Sequence, residues 1–558
     1  HPANESFPWA GDVLAARLVR FLNIGVGALT VVLTYATAVL MWPRNRAMAV
    51  GSSAILAFSP MFLYMSGTIN NDVIAALSGA AVMYASVRLL LSDVGFGGDE
   101  EPFWRSGVRW GVVMGAAYAL ALMSKFNLAP IAATQVLVMT FVAWRHKQWG
   151  AWVVSGVAMF LSTAVLAGWW FLRNTLIYGE PTGVETLTEL WGVRTPSESF
   201  WLVIQELPNA WSSLWGRFGF GQIPLPGWFY TAVWVATLAA GGGLVWAFVR
   251  AIKARRVARN GLAAVLLFLL VSTFFAVLFA YMLISPAGAM GRFFFPGLPA
   301  LVILLFAGLA LWPVAGRWEA LDTPAQMTQS TAVVISVLMA VAAVWALVGF
   351  LAPAYAAPPR WSAEQALPNP MYLQFNEMAA LRGYEIVPTA VRRLNDDAGE
   401  TQVRVDLYWE VLNQPIGNFY LFAHLMDSVG TMVTQRDTHP ALGKFPTSEW
   451  RPGDRFVDTV YLWLPATAYP DTAVVSVGLY APSGYRLAVT DAAGELVGDT
   501  AVLGNITIEP RLGKFPNPLS SAQSFEQRVR LVGYEYAEDN RTAVGGETLT
   551  LTLYWEIL

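Results

Sequence analysis

Apolar stretches of roughly 20 residues follow one another from near the start of the chain to about residue 352. A helix needs about that many residues to cross a ~30 Å hydrocarbon core, where backbone polar groups must be satisfied internally. The stretches lie near 18–41, 47–66, 73–91, 108–123, 128–144, 149–172, 229–249, 261–284, 296–313 and 331–352, which predicts about ten spans. Composition points the same way. Of 558 residues, 56% are hydrophobic and 13% charged, about half the charged share of a soluble domain. A net charge of -3 offers no basic surface to nucleic acid, so no such partner is expected. The absence of cysteine removes disulfide scaffolds and thiolate zinc sites.

Lys and Arg in the short loops orient the spans. "PRNR" (43–46), "RHK" (145–147) and "RAIKARRVAR" (250–259) fall on alternate turns and mark one face as cytoplasmic. The opposite face then receives residues 1–15, the "GTINND" turn, "SKFN" (124–127), a long loop 173–228, "SPAGAMGRFFF" (285–295) and everything beyond 352. The expected location is a multi-pass position in the plasma (inner) membrane. The polar opening "HPANESFPWAGD" has no basic region followed by an apolar one, so no signal peptide is visible, and a natural start upstream of His1 is expected. In the long loop, Trp201, Ile204, Leu207, Trp211, Leu214, Trp215 and Phe218 recur every three or four positions. That spacing suits helices lying in the interface, with Pro208 expected to break or begin one.

A Pro-rich linker at 353–371 ends the membrane part (1–352), and the period changes to two. In "VRVDLYWEVL", Val403, Val405, Leu407, Trp409 and Val411 alternate with polar or amphipathic neighbours, as in a half-buried strand. Turn signals punctuate similar strands to about 509, so 372–510 reads as an antiparallel β-sandwich. The pattern then begins again. "RGYEIV" (382–387) returns as "VGYEYA" (532–537), and "LYWEVL" (407–412) as "LYWEIL" (553–558), at offsets of 150 and 146. This internal repeat places a linker at 511–523 and a second, incomplete sandwich at 524–558, with the remainder expected beyond Leu558.

Chemistry-bearing side chains gather at the outer ends of spans: Asp72, Lys125 beside Asn127, Arg173 with Asn174, and Arg292. The span interiors hold almost no charge, whereas a proton-coupled transporter usually needs an ionisable relay at mid-depth. One carboxylate with several cations at a membrane boundary suits group transfer from a lipid phosphate, the cations stabilising charge on the departing phosphate and the carboxylate acting as a catalytic base or positioning a metal or acceptor hydroxyl. Structural roles stand beside these. Asp72 also reads as the N-cap of a helix beginning at Val73. Lys125 and Arg292 also read as interfacial side chains that snorkel. "GGG" (241–243) reads as close helix packing rather than a phosphate loop. His424, Asp437 and His439 read as strand and turn residues rather than metal ligands.

"SPMFLYMSGTINNDVIAAL", "SKFNLAPI", "WWFLRNTLIYGEPTG", "SSLWGRFGFGQIPLPGWFY" and "GRFFFPGLPAL" together resemble a bacterial family of polytopic membrane proteins. That family is similar to the GT-C glycosyltransferases, which include protein O-mannosyltransferases and the lipid A aminoarabinose transferase. The resemblance covers about residues 1–352 and implies a GT-C-like helical membrane domain followed by extracytoplasmic all-β sandwich repeats. It implies a sugar moved from a polyprenyl-phosphate donor to an envelope glycan, lipid or protein outside the cytoplasm. It matches Asp72 to an outer-loop acid, makes Asp12 and Glu5 candidates for a first-loop acid, and sets Arg292, with Lys125 and Arg173, near the donor phosphate. No cofactor is fixed; a divalent metal (Mg or Mn) stays open. The alternatives from other classes are a transport or polymerisation protein for lipid-linked glycans and a non-catalytic glycan-binding scaffold of the envelope.

Overall fold

A computed structural model describes residues 8–98, 100–191, 196–219, 221, 223–253, 259–285, 290–310, 312, 326–392, 402–464, 468, 470–509, 517–525, 529–536 and 551–557. The chain divides into two compact units, one within Asn4–Ala354 and the other within Tyr355–Leu558.

The first unit is helical. Its helices are α1 (Gly11–Met41), α2 (Arg46–Ala57), α3 (Pro60–Ser66), α4 (Asp72–Leu90), α5 (Phe103–Ser124), α6 (Ile131–His146), α7 (Trp149–Thr163) and α8 (Trp169–Tyr178). They continue with α9 (Val184–Trp191), α10 (Pro196–Gly216), α11 (Gly227–Lys253), α12 (Arg259–Ile284), α13 (Leu298–Ala310) and α14 (Gln326–Ala346). Among the described residues, nine helices are long and apolar enough to cross a membrane, and the protein is a multi-pass membrane protein. The expected span at 47–66 is two helices, α2 and α3, bent by 64°. Together they pass the same test, so counting the pair as one broken span gives the expected ten among the described residues. Pro60 opens α3, where its missing N–H costs no helical bond, so the chain turns there without an orphaned donor.

Other expectations shift at their edges. The stretches near 108–123 and 128–144 extend to full spans at Phe103–Ser124 and Phe126–His146. The span near 149–172 runs on through a π-turn at Ala164–Gly168 to Tyr178, so Arg173 and Asn174 sit on a helix and not in a loop. Pro208 neither breaks nor begins a helix: it lies inside α10. The triple glycine serves close packing. A Cβ on Gly243 would stand 2.0 Å from the Gly308 carbonyl oxygen, and one on Gly308 would stand 2.1 Å from that of Ala240. Only glycine lets α11 and α13 approach that closely. Two short strands, β1 (Arg217–Phe218) and β2 (Ile223–Pro224), follow α10 as a hairpin.

The second unit is built of strands. They are β3 (Pro370–Phe375), β4 (Ala379–Val387), β5 (Ala390–Arg392), β6 (Gln402–Val411), β7 (Tyr420–Met426), β8 (Met432–Thr438), β9 (Arg455–Trp463), β10 (Asp471–Tyr480), β11 (Val489–Thr490), β12 (Leu496–Gly498) and β13 (Ala501–Glu509). One sheet has the order β5-β13-β10-β7-β8 and the other β12-β11-β3-β4-β6-β9. Val403, Val405, Leu407, Trp409 and Val411 of β6 share one buried core with Leu421, Ala423 and Leu425 of β7 and Val475, Val477 and Leu479 of β10. The period of two read from the sequence is thus the inward face of a sandwich.

A third sheet has the order β14 (Asn517–Phe525), β15 (Val529–Tyr536), β16 (Leu551–Ile557). The internal repeat extends to its register. Leu381 pairs with Trp409 and Leu531 with Trp555, and in each copy the ladder shifts by one residue before the glycine, at Leu381/Gly383 and Leu531/Gly533. Such a shift is the mark of a β-bulge.

Candidate functional site

The "SGTINND" turn between α3 and α4 is held by three asparagines. Asn70 Oδ1 accepts from the backbone N–H of Asp72 (2.9 Å) and of Val73 (3.2 Å). Its amide donates back to the Met65 carbonyl (2.7 Å) and the Thr68 hydroxyl (2.9 Å). From α1, buried Asn23 donates to the carbonyls of Thr68 (2.7 Å) and Asn70 (3.2 Å). Asn71 donates to the Ser124 carbonyl at the end of α5 (3.0 Å). Asp72 is therefore not the cap of α4. Asn70 satisfies two of the orphan donors of the first turn, those of Asp72 and Val73, which leaves the Asp72 carboxylate for other partners.

Two cations meet that carboxylate. The Lys125 ammonium donates to Asp72 Oδ1, and Arg292 Nε stands 3.5 Å from Asp72 Oδ2. Asp72 is only 4% exposed, and the Lys125 and Arg292 side chains are 14% and 22% exposed. The Phe293 ring lies beside both, 4.5 Å from Lys125 Nζ and 5.7 Å from the Arg292 guanidinium carbon, measured to its centroid. Tyr281, near the end of α12, packs edge-on against the same ring at 5.4 Å. The Arg292 Nε–H is buried yet makes no hydrogen bond among the described residues. Among the described residues the site thus combines two cations and one carboxylate, a net positive charge, with an apolar wall.

Backbone packing fixes these side chains in place. Asn71 ties the start of α4 to Ser124, the residue before Lys125. The 3-10 turn Gly291–Gly297 carries Arg292, and it is pressed between two helices. A Cβ on Gly79 of α4 would stand 2.0 Å from the Pro296 carbonyl oxygen, and one on Gly291 would stand 2.2 Å from that of Ala210 in α10. The Gly291 N–H donates to Ser213 of α10 at 2.6 Å. Three stretches far apart in sequence are therefore locked around one carboxylate. Removing one partner of such a buried ion pair typically costs about 3–5 kcal/mol, because the other charge is stranded.

Asp72, Lys125 and Arg292 are brought together, as the sequence had grouped them. Arg173 is exposed on α8; it donates to Asn174 Oδ1 (3.1 Å) and lies over the rings of Trp170 and Tyr178, at 5.3 and 5.8 Å. Asp12 is exposed in the first turn of α1. Glu5 lies outside the described residues. Sequence reasoning missed Asn23, Asn70, Asn71 and Phe293. The run of two asparagines before Asp72 was the available signal, since Asn is as good a cap as Asp and frees the acid.

A divalent metal does not fit this donor set. The carboxylate is flanked by two cations, which would repel a third, and no group of three His, Asp or Glu side chains among the described residues could hold a metal ion. In the sandwich, His424 Nε2 stands 3.9 Å from Asp437 Oδ1, while His439 is stacked on Tyr420 at 4.3 Å. Strand and turn roles account for all three.

Residues 6–187 match the family model described as dolichyl-phosphate-mannose-protein mannosyltransferase. The matched stretch contains Asp72, Lys125 and Arg173, and Arg292 lies beyond it. None of the curated proteins matches the chain. Among solved structures, the chain is similar to crystal structures of ArnT from Cupriavidus metallidurans, one in the apo state and one bound to undecaprenyl phosphate, at 16% and 17% identity and a TM-score of 0.32 for each. Each match covers 60% of this chain, which spans 57% of the ArnT chain.

Proposed function

From the mannosyltransferase-family match over residues 6–187 and the cluster at Asp72, we propose that this chain is a GT-C-type membrane glycosyltransferase. It moves a sugar from a polyprenyl-phosphate donor to an envelope glycan, lipid or protein on the extracytoplasmic face. The observation that carries this reading is the convergence of Lys125 and Arg292 on one buried carboxylate beside Phe293. A phosphate group on a prenyl chain has the matching chemistry: an anion for the two cations and an apolar tail for the membrane side.

In the transfer, the bond between the sugar's anomeric carbon and the phosphate oxygen breaks, and its electron pair stays on the phosphate. The acceptor's hydroxyl oxygen bonds the anomeric carbon and loses its proton to solvent. The departing phosphate gains one negative charge. Lys125 and Arg292 are already in place to stabilise it, so little reorganisation is needed as the bond breaks. Asp72 holds both cations in that position. Arg173 lies on α8, whose Phe171 meets Phe126 at 6.0 Å. Two residues further along the helix it faces away from that contact, and its role is to steer the donor from outside the cluster.

The test is sugar transfer by the purified chain in lipid vesicles supplied with a polyprenyl-phosphate sugar. Lys125→Gln and Arg292→Gln are expected to lower the rate about 100-fold or more, as loss of one preorganised donor does elsewhere. Transfer by both variants at the wild-type rate would remove these residues from the reaction.

A further inference from the structure

Two fixed cations and one fixed carboxylate leave the site with a net charge of about +1, and the buried side chains keep that charge weakly screened. Substrate and product of the proposed transfer differ in charge at the group that sits there. A prenyl-phosphate sugar is a phosphodiester and carries one negative charge. The prenyl phosphate left behind is a monoester, whose second ionisation falls near pH 6, so it carries close to two negative charges at neutral pH.

We propose that Asp72 is a specificity-determining residue that matches the site to the singly charged phosphodiester and weakens its hold on the doubly charged monoester. This rests on the reading of Lys125 and Arg292 as the phosphate site. A site with the two cations alone would bind the spent carrier more tightly than the donor, and each turnover would end in a trapped product. The carboxylate cancels one positive charge and opposes the second negative charge when it appears. Asn70 makes this arrangement available: it takes over the capping of α4, so the Asp72 carboxylate is spent on the two cations and not on the helix. Among the described residues, the charged side chains that face Asp72 are Lys125, from the turn after α5, and Arg292, from the 291–297 turn, and Tyr281 of α12 packs on Phe293 beside them.

The experiment measures binding of two probes to the full chain in detergent: farnesyl phosphate, and its methyl phosphodiester. Wild type, whose site keeps a net positive charge, is expected to bind the monoester less than about ten-fold tighter than the diester at pH 8, and the two equally at pH 5, where both probes carry a single charge. Asp72→Asn, nearly the same in shape but neutral, is expected to bind the monoester at least about ten-fold tighter at pH 8, with a smaller change for the diester. A wild-type preference for the monoester of about ten-fold or more at pH 8, or one unchanged at pH 5, overturns the proposal without any variant. Equal changes for both probes in Asp72→Asn overturn it too, while leaving the phosphate site intact. If Lys125→Gln and Arg292→Gln bind both probes as wild type does, the phosphate site itself falls, and the proposal with it.

Discussion

Asp458 shows at the scale of one residue how this sequence tolerates charge where it is least expected. It lies on the inward face of β9, between Phe456 and Val460, and is fully buried. Burial pushes its carboxyl up from an ordinary 3.8 to about 7, with Asp406 adding to the rise and the Ala441 backbone and Lys444 pulling against it. The folded state therefore holds a proton between about pH 4 and pH 7 that the unfolded chain has released. Stability of the β unit declines as pH rises through that window and is lowest above it. Asp458→Asn removes the penalty. Thermal unfolding is expected to show a gain on the order of 4 kcal/mol at pH 8 and little change at pH 4; a gain that is the same at both would mean that charge is not the cause. Asp72 solves the same problem differently, with two cations for one carboxylate.

At the scale of elements, the site depends on how closely α4 meets the 291–297 turn. Gly79 permits that approach, because a Cβ there would collide with backbone and not with the end of a movable side chain. Gly79→Ala is expected to cost about 1–3 kcal/mol by overpacking, and to weaken binding of a prenyl phosphate by shifting Arg292. Gly156 on α7 has nothing within 4 Å of a Cβ, so Gly156→Ala is expected to be neutral or slightly stabilising. Equal effects from the two in a melting and binding comparison would dissociate packing at Gly79 from the site. Apolar runs of 20 residues made the spans legible in sequence, and strict alternation did the same for β6. The bend between α2 and α3, the helix through Pro208 and the helical position of Arg173 were not legible. Each depends on which backbone groups find partners in the folded bundle, and hydropathy carries no record of that.

At the scale of the whole molecule, the candidate site joins three stretches that stand more than fifty residues apart in each case: Asp72, Lys125 and Arg292. Their grouping was readable because the Lys and Arg pattern of the short loops assigned all three to span ends on one face, where isolated charges are costly and tend to find one another. The scaffolding asparagines were not readable as such, since a polar turn residue looks the same whether it caps a helix or anchors another loop. The β unit repeats its strand register and its bulge, a relation that the recurring "GYE" and "LYWE" already carried. The central claim is that a lipid phosphate sits between Lys125 and Arg292. Photocrosslinking with a prenyl phosphate that carries a photoreactive group beside the phosphate tests it most directly. Adducts are expected on the peptides containing residues 124–128 and 290–297, and unlabelled prenyl phosphate is expected to compete them away. Competable adducts confined to other segments would contradict the claim.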